Sequence, residues 1–227
     1  MHCTKVGGSL SDLAALFSGV IQGSVLGPLM FLIFINKRSK VLSTFGIVVK
    51  MFADDVKLYL KIVNNVDLST LQVAMNALCK WANLWQLSIS VEKCCVLSVG
   101  KLDPVDNILL SGTALPYVTS CRDLGVTVSS DLSFSLHVKN IVAKVHQRAN
   151  VIHKCFISRN TNLLVRAYVT YVRPLLEYNS IIWSPYLKGD VDAIEKVQRR
   201  FTKRIPGLNN CSYVERLHLL HLPRLEM

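Results

Sequence analysis

The sequence predicts an α+β chain, with strands and helices mixed up to about residue 128 and helices alone beyond it. Three observations carry this. Two β-branched and aromatic runs, Ile47–Ala53 and Val56–Ile62, flank the polar tip Asp54-Asp55, as the strands of a hairpin do. After Ser129 the apolar period changes to that of helices, with Pro174, Pro185 and Pro206 as breaks. The chain has 227 residues, 51% of them apolar and 18% charged, which is enough for a core and excludes a disordered chain.

The elements follow in order. A glycine-rich turn, Ser18–Gly27, precedes a helix with Pro28 in its first turn, closed by the polar patch Asn36–Lys40. After the hairpin, Leu68, Leu71, Met75, Leu78 and Ala82 share one face of a helix over Leu68–Leu84. Cys94–Val99 reads as a strand, Ile108–Val118 as a hairpin turning at Ser111-Gly112, and Asp123–Val128 as one more strand. Helices are expected at 134–155, 161–172, 189–205 and 212–220.

Leu13–Asn36 carries no charged side chain and is long enough to span a bilayer. Ser18, Gln22 and Ser24 would sit within the span, however, and Gly27-Pro28 would break its helix. No membrane partner is therefore expected. Seven cysteines without a CxxC spacing give neither a disulfide framework nor a zinc finger and read as reduced, intracellular thiols. Cys211, His218 and His221 are too loosely spaced for zinc and lack a fourth ligand. Trp81, Trp85 and Trp183 read as packing residues.

The net charge of +11 is uneven. From His137 onward there are 15 Lys and Arg against 6 Asp and Glu, whereas the first 136 residues hold 11 against 9. A polyanion is thus best gripped by the C-terminal half. Over Asp190–Ile205, the residues Val191, Ile194, Val197, Phe201 and Ile205 form an apolar stripe. Lys196, Arg199, Arg200, Lys203 and Arg204 lie off it. Such a helix buries one face and can present the other to phosphates; a solvated basic face fits the same pattern.

Asp54-Asp55 is the sharpest feature. Adjacent carboxylates repel, and in partly apolar surroundings they call for a cation. Mg²⁺ is usually held by one or two carboxylates together with substrate phosphates. On the dipeptide alone, a solvated turn is the simpler account.

Longer words change that balance. Ser18–Asn36 (SGVIQGSVLGPLMFLIFIN) followed by Phe52-Ala-Asp-Asp55 closely resembles the palm of reverse transcriptases from non-LTR, LINE-like retrotransposons of the jockey and chicken-repeat type. The similarity runs from about Lys5 to the last residue. It includes Trp81, Leu87–Cys94, Asp123-Leu-Gly125, Tyr171–Tyr178, Trp183-Ser-Pro185 and Ile194–Phe201.

The resemblance implies an RNA-directed DNA polymerase, a nucleotidyltransferase that adds deoxynucleotides to a primer 3′-hydroxyl by two-metal chemistry. Its partners would be an RNA template, a DNA primer and deoxynucleoside triphosphates, its cofactor Mg²⁺ or alternatively Mn²⁺, and its site of action the nucleus. Asp54 and Asp55 match the catalytic metal-binding pair. Gln22, Gly23 and Ser24 match the turn beside the incoming nucleotide and template, and Phe52 opens the metal motif beside them. Lys93 matches a lysine proposed to protonate the leaving pyrophosphate. Residues 1–128 would be a partial palm and 129–227 a helical, thumb-like region whose basic residues Lys196, Arg199, Arg200, Lys203 and Arg204 hold nucleic acid.

The chain departs from the family pattern in several places. Ile21, Lys37 and Val56 stand where proline, aspartate and threonine are usual. The third family aspartate sits on a strand upstream of the glycine-rich turn, and Asp12 lies too near that turn to replace it. Fingers and the first catalytic strand have no counterpart. The expectation is a truncated or decayed polymerase without activity of its own; the alternative is a non-catalytic remnant that binds RNA or RNA–DNA duplex.

Overall fold

The computed structural model describes residues 1, 3–15, 23–100 and 107–225. The chain forms two compact units. The first is Met1–Cys94 with Asp106–Leu115, and the second is Cys95–Val105 with Pro116–Met227.

In the first unit, a small antiparallel pair, β1 (Lys5–Val6) and β2 (Ser9–Leu10), precedes helix α1 (Gly27–Ser43). Pro28 stands in the first turn of α1 as expected, but the helix runs past the polar patch Asn36–Lys40. Ile35, Arg38 and Leu42 recur at helical spacing and are all buried, so the patch is a continuing amphipathic turn. The strands β3 (Val48–Phe52) and β4 (Asp55–Tyr59) form the expected hairpin, with Phe52 opposite Asp55. Helix α2 (Asn65–Leu84) starts three residues earlier than its apolar period suggests, because a capping box fixes its start. Asn64 Oδ1 accepts the N–H groups of Val66 and Asp67, while Asp67 accepts from the Asn64 N–H. The core joins Leu42, Ile47, Ala74 and Leu78. Phe34 on α1 packs against Trp81 on α2 and edge-on against Trp85 just past it, the packing role expected of the two tryptophans. A 3-10 turn, Val91–Lys93, follows. The strands β6 (Leu109–Leu110) and β7 (Thr113–Ala114) complete this unit and turn at Ser111-Gly112, both at positive φ.

The second unit begins with β5 (Val96–Leu97), which pairs in parallel with β8 (Tyr117–Val118). Tyr117 and Val118 therefore do not extend the preceding hairpin. Asp123–Val128 is not a single strand either. It is a second hairpin of β9 (Ser120–Asp123) and β10 (Val126–Ser129), turning at Leu124-Gly125, again both at positive φ. Two positive values in a two-residue loop suit the right-handed twist of paired strands. Among the described residues six helices follow: α3 (Ser135–Cys155), α4 (Thr161–Tyr171), α5 (Arg173–Glu177), α6 (Ser180–Trp183), α7 (Lys188–Lys203) and α8 (Tyr213–Leu220). Their core gathers Val145, Tyr168, Leu176, Trp183, Phe201 and Ile205. The Trp183 indole N–H donates to the Tyr178 carbonyl at 2.7 Å, which satisfies its polar atom inside the core. No helix among the described residues is long and apolar enough to cross a membrane.

Candidate catalytic pair and nucleic-acid interface

The β3–β4 hairpin sets the candidate pair in place. Its ladder ends at Phe52 opposite Asp55, so the turn residues are Ala53 and Asp54. Asp54, Asp55 and Phe52 are all exposed. Ala53 has φ +50°, a left-handed conformation that costs an L-residue roughly 1–2 kcal/mol.

A residue that sequence reasoning missed supports this turn. Arg38 of α1 is only 8% exposed, and its guanidinium donates to the carbonyls of Ala53 and Asp54, each at 3.2 Å. Burial pulls the Arg38 pKa below its ordinary value, and the carboxylates of Asp54 and Asp55 pull it back up. Its Nε is buried without a hydrogen-bond partner among the described residues. The only sequence signal was a basic residue three positions after Ile35 and four before Leu42, on their helical face.

The Arg38 guanidinium thus senses the charge of both aspartates while it holds the turn between them and β3. Neither carboxylate has a hydrogen bond or ion pair with another described side chain. Two exposed carboxylates are a donor set that suits Mg²⁺, which keeps several waters and takes its remaining ligands from phosphates. No cluster of three or more His, Cys, Asp or Glu able to hold a metal occurs among the described residues.

Phe52 lies beside the pair, whereas Gly23, Ser24 and Lys93 lie elsewhere in the same unit. Gln22 falls outside the described residues. Gly23, at φ +84°, and Ser24 precede the opposite end of α1 from Arg38. There the Ser24 hydroxyl accepts the Gly27 N–H at 2.9 Å, satisfying a helix-start donor. Lys93 is exposed at the end of the 3-10 turn. Among the described residues, no hydrogen bond joins Gly23, Ser24 or Lys93 to the hairpin tip.

In the second unit α7 buries most of its apolar stripe, with Val191 only half-buried and the polar Glu195, Gln198 and Thr202 buried beside it. Ile194, Val197, Phe201 and, just past the helix, Ile205 are buried, whereas Lys196, Arg199, Arg200, Lys203 and Arg204 are exposed. The five cations do not act as one set. Lys196 and Arg200 lower the pKa of His146 on α3, after the larger effect of burial. Arg204 caps α7 and donates to Asn150 Oδ1 at 2.6 Å. Arg199 lies over the Tyr213 ring, 4.9 Å from its centre, held by a cation–π contact. Lys196, Arg200, Arg204 and α3 thus share one side, whereas Arg199 turns toward α8.

Comparison with known proteins agrees with the motifs. The chain is 28% identical over 239 residues to a probable RNA-directed DNA polymerase from transposon BS of Drosophila melanogaster, covering 96% of this chain and 25% of that protein. It is 25% identical over 213 residues to the RNA-directed DNA polymerase from mobile element jockey of the same species, covering 89% of this chain and 23% of that one. A Pol polyprotein from the type-1 retrotransposable element R1 2 of Nasonia vitripennis is 30% identical over 135 residues, 56% of this chain and 33% of its own length. The chain spans about a quarter of the length of the first two relatives. No solved structure matches it significantly. The family model for reverse transcriptase (RNA-dependent DNA polymerase) matches residues 5–128, more than half of the chain. This chain, with its paired aspartates at a hairpin tip, belongs to the reverse transcriptase family.

Proposed function

We propose that the chain is part of a retrotransposon RNA-directed DNA polymerase in which Asp54 and Asp55 are the metal-binding pair of nucleotidyl transfer. The observation that carries this is the exposure of both carboxylates at a hairpin tip, within the segment matched by the family. Asp54 and Asp55 would hold Mg²⁺, or Mn²⁺ in its place, which when bound supplies charge stabilisation for the attacking 3′-oxygen and the departing pyrophosphate. Gln22, Gly23 and Ser24 would line the nucleotide and template, with Phe52 presenting its exposed ring beside the pair. Lys93 would give a proton to the leaving pyrophosphate. In this assignment residues 1–128 belong to the palm and 129–227 to the thumb, and the site of action is the nucleus.

A second function, duplex binding without turnover, is favoured by the exposed cations of α7. Lys196, Arg199, Arg200, Lys203 and Arg204 would grip phosphates independently of sequence and lose affinity with salt. With two carboxylates and no third acidic partner among the described residues, we propose that the 227-residue chain alone binds template–primer without extending it.

The deciding experiment presents the purified chain with an RNA template, a DNA primer, deoxynucleotides and Mg²⁺ or Mn²⁺. Primer extension abolished by Asp54→Asn establishes the polymerase and refutes the inactivity of the lone chain. Binding without extension, weakened by Lys196→Ala and Arg200→Ala but not by Asp54→Asn, establishes the binder. Failure to bind at all defeats both.

A further inference from the structure

Burying Arg38 has a cost. A guanidinium taken from water is expensive unless its donors are satisfied and its charge answered, and the rest of the stripe it occupies on α1 is Ile35 and Leu42. What it meets there is the turn between β3 and β4. The two carbonyls it contacts, Ala53 and Asp54, belong to the two peptide planes on either side of Asp54. Both planes adjoining that residue are therefore tied to α1 by one side chain. Asp55 needs no such tie, because the ladder with Phe52 already fixes it.

The turn also needs holding. Two-residue hairpin loops with positive φ at the first position favour glycine there. This chain has alanine, at φ +50°. Strained backbone of this kind persists only where its surroundings over-determine it. The planar fork of arginine can reach two successive carbonyls at once, which the single ammonium of lysine cannot do in the same way.

We infer that Arg38 is a positioning residue: its fork holds the Ala53–Asp54 turn in the left-handed conformation that presents the Asp54 and Asp55 carboxylates together. This rests on Asp54 and Asp55 being the metal pair of the proposed function.

The test compares the 227-residue chain with Arg38→Lys, Ala53→Gly and the double variant. The readouts are Mn²⁺ affinity from the free-ion paramagnetic resonance signal and the backbone chemical shifts of residue 53, which report the sign of φ. Lysine keeps the charge, so a change in affinity does not come from a lost Coulomb term. Arg38→Lys is expected to weaken Mn²⁺ binding by roughly tenfold or more, the scale of lost charge-assisted hydrogen bonds, and to move residue 53 out of the left-handed region. Adding Ala53→Gly should restore affinity to within about threefold, because glycine adopts that conformation unaided. A generic packing role for Arg38 would not be rescued by a glycine in the turn. Wild-type affinity in Arg38→Lys, or a double variant no better than the single one, overturns the inference.

Should the wild-type chain bind no Mn²⁺, or bind it equally with Asp54→Asn, the metal pair fails. The chemical shifts of Ala53 with and without Arg38→Lys then decide the clamp by themselves. Should Arg38→Lys not fold, couplings across the hydrogen bonds from Arg38 Nη to the two carbonyls in the wild-type chain decide it. Their presence supports the clamp and their absence overturns it.

Discussion

The buried Glu195 carboxylate accepts the backbone N–H of Leu225 at 2.9 Å and a hydrogen bond from the Tyr213 hydroxyl. One side chain of α7 thereby fastens both α8 and the segment beyond it. Gln198, one helical turn on, repeats the device: it accepts from the Tyr168 hydroxyl at 3.0 Å and donates to the Pro223 carbonyl at 2.9 Å. Glu195→Ala would leave two donors without an acceptor, at roughly 1–3 kcal/mol each. The expected fall in melting temperature is about 5–15 °C. Glu195→Gln, which keeps an acceptor oxygen, should lose less than half of that. Equal losses in thermal melts followed by circular dichroism would refute this role.

Gly125 and Tyr178 lie against one another, which accounts for two of the family-like words in the sequence at once. A Cβ on Gly125 would stand 3.0 Å from Tyr178 Cε1, and Gly125 has φ +88°. The Tyr178 hydroxyl donates to the Leu124 carbonyl at 3.1 Å, across the same turn. Gly125→Ala therefore combines backbone strain of roughly 1–2 kcal/mol with a clash, for a total loss of about 2–3 kcal/mol. Tyr178→Phe should lose only about 0.5–1.5 kcal/mol. Urea unfolding of the two variants tests the order, and a milder effect for Gly125→Ala would contradict it.

The exposed cations of α7 should differ in what they contribute. Lys196→Ala and Arg200→Ala are expected to weaken duplex binding similarly on every sequence, each reducing the slope of log affinity against log salt by about 1. Arg199 also packs over Tyr213, so Arg199→Ala should lower the melting temperature as well as the affinity. Titrations at several salt concentrations, paired with melts, separate the two effects. Unchanged salt slopes for Lys196→Ala and Arg200→Ala would remove this face from the interface.

Acid should weaken the helical unit. His137, His146 and His153 all have pKa values below the ordinary histidine value, in each case chiefly through burial. Nearby cations add to it: Arg122 for His137, Arg200 and Lys196 for His146, and Arg204 and Arg159 for His153. For His153 a hydrogen bond with the Phe201 backbone works in the opposite direction. Above pH about 6.5 these rings are neutral in both folded and unfolded chains, and stability does not depend on them. As pH falls below that value the unfolded chain takes up protons first, so stability drops until the lowered folded pKa is passed. Melting temperature should fall by a few degrees between pH 7 and pH 5, and His146→Asn should flatten part of the slope. A pH-independent melt would refute the assignment.

Much of this architecture could be read before the structure, and the misses share a cause. The long helices of the second unit have an unbroken apolar period, and Ser111-Gly112 has the chemistry of its turn, so local rules were enough. Asp54-Asp55 lay between two β-branched runs and was legible for the same reason. Arg38 was missed because its neighbours Asn36, Lys37 and Lys40 made it look like part of a helix end, whereas only the facing hairpin gives its charge a purpose. The pairing of Val96–Leu97 with Tyr117–Val118 is set by tertiary contact across twenty residues, and no local pattern encodes it. Leu124-Gly125 sat inside an apolar run that concealed a turn.

The chain alternates between its two units, leaving the first at Cys94, returning for Asp106–Leu115 and then leaving again. During synthesis the hairpin bearing Asp54 and Asp55 emerges early, yet its unit cannot be completed until Leu115 has cleared the ribosome. A break at any single peptide bond cannot separate the units cleanly: one after Cys94 leaves Asp106–Leu115 with the second unit, and one after Leu115 leaves Cys95–Val105 with the first. Recombination that exchanges one unit for a homologous one must therefore have three junctions, and a C-terminal cassette cut only near residue 94 would carry away a strand pair that belongs to the part left behind.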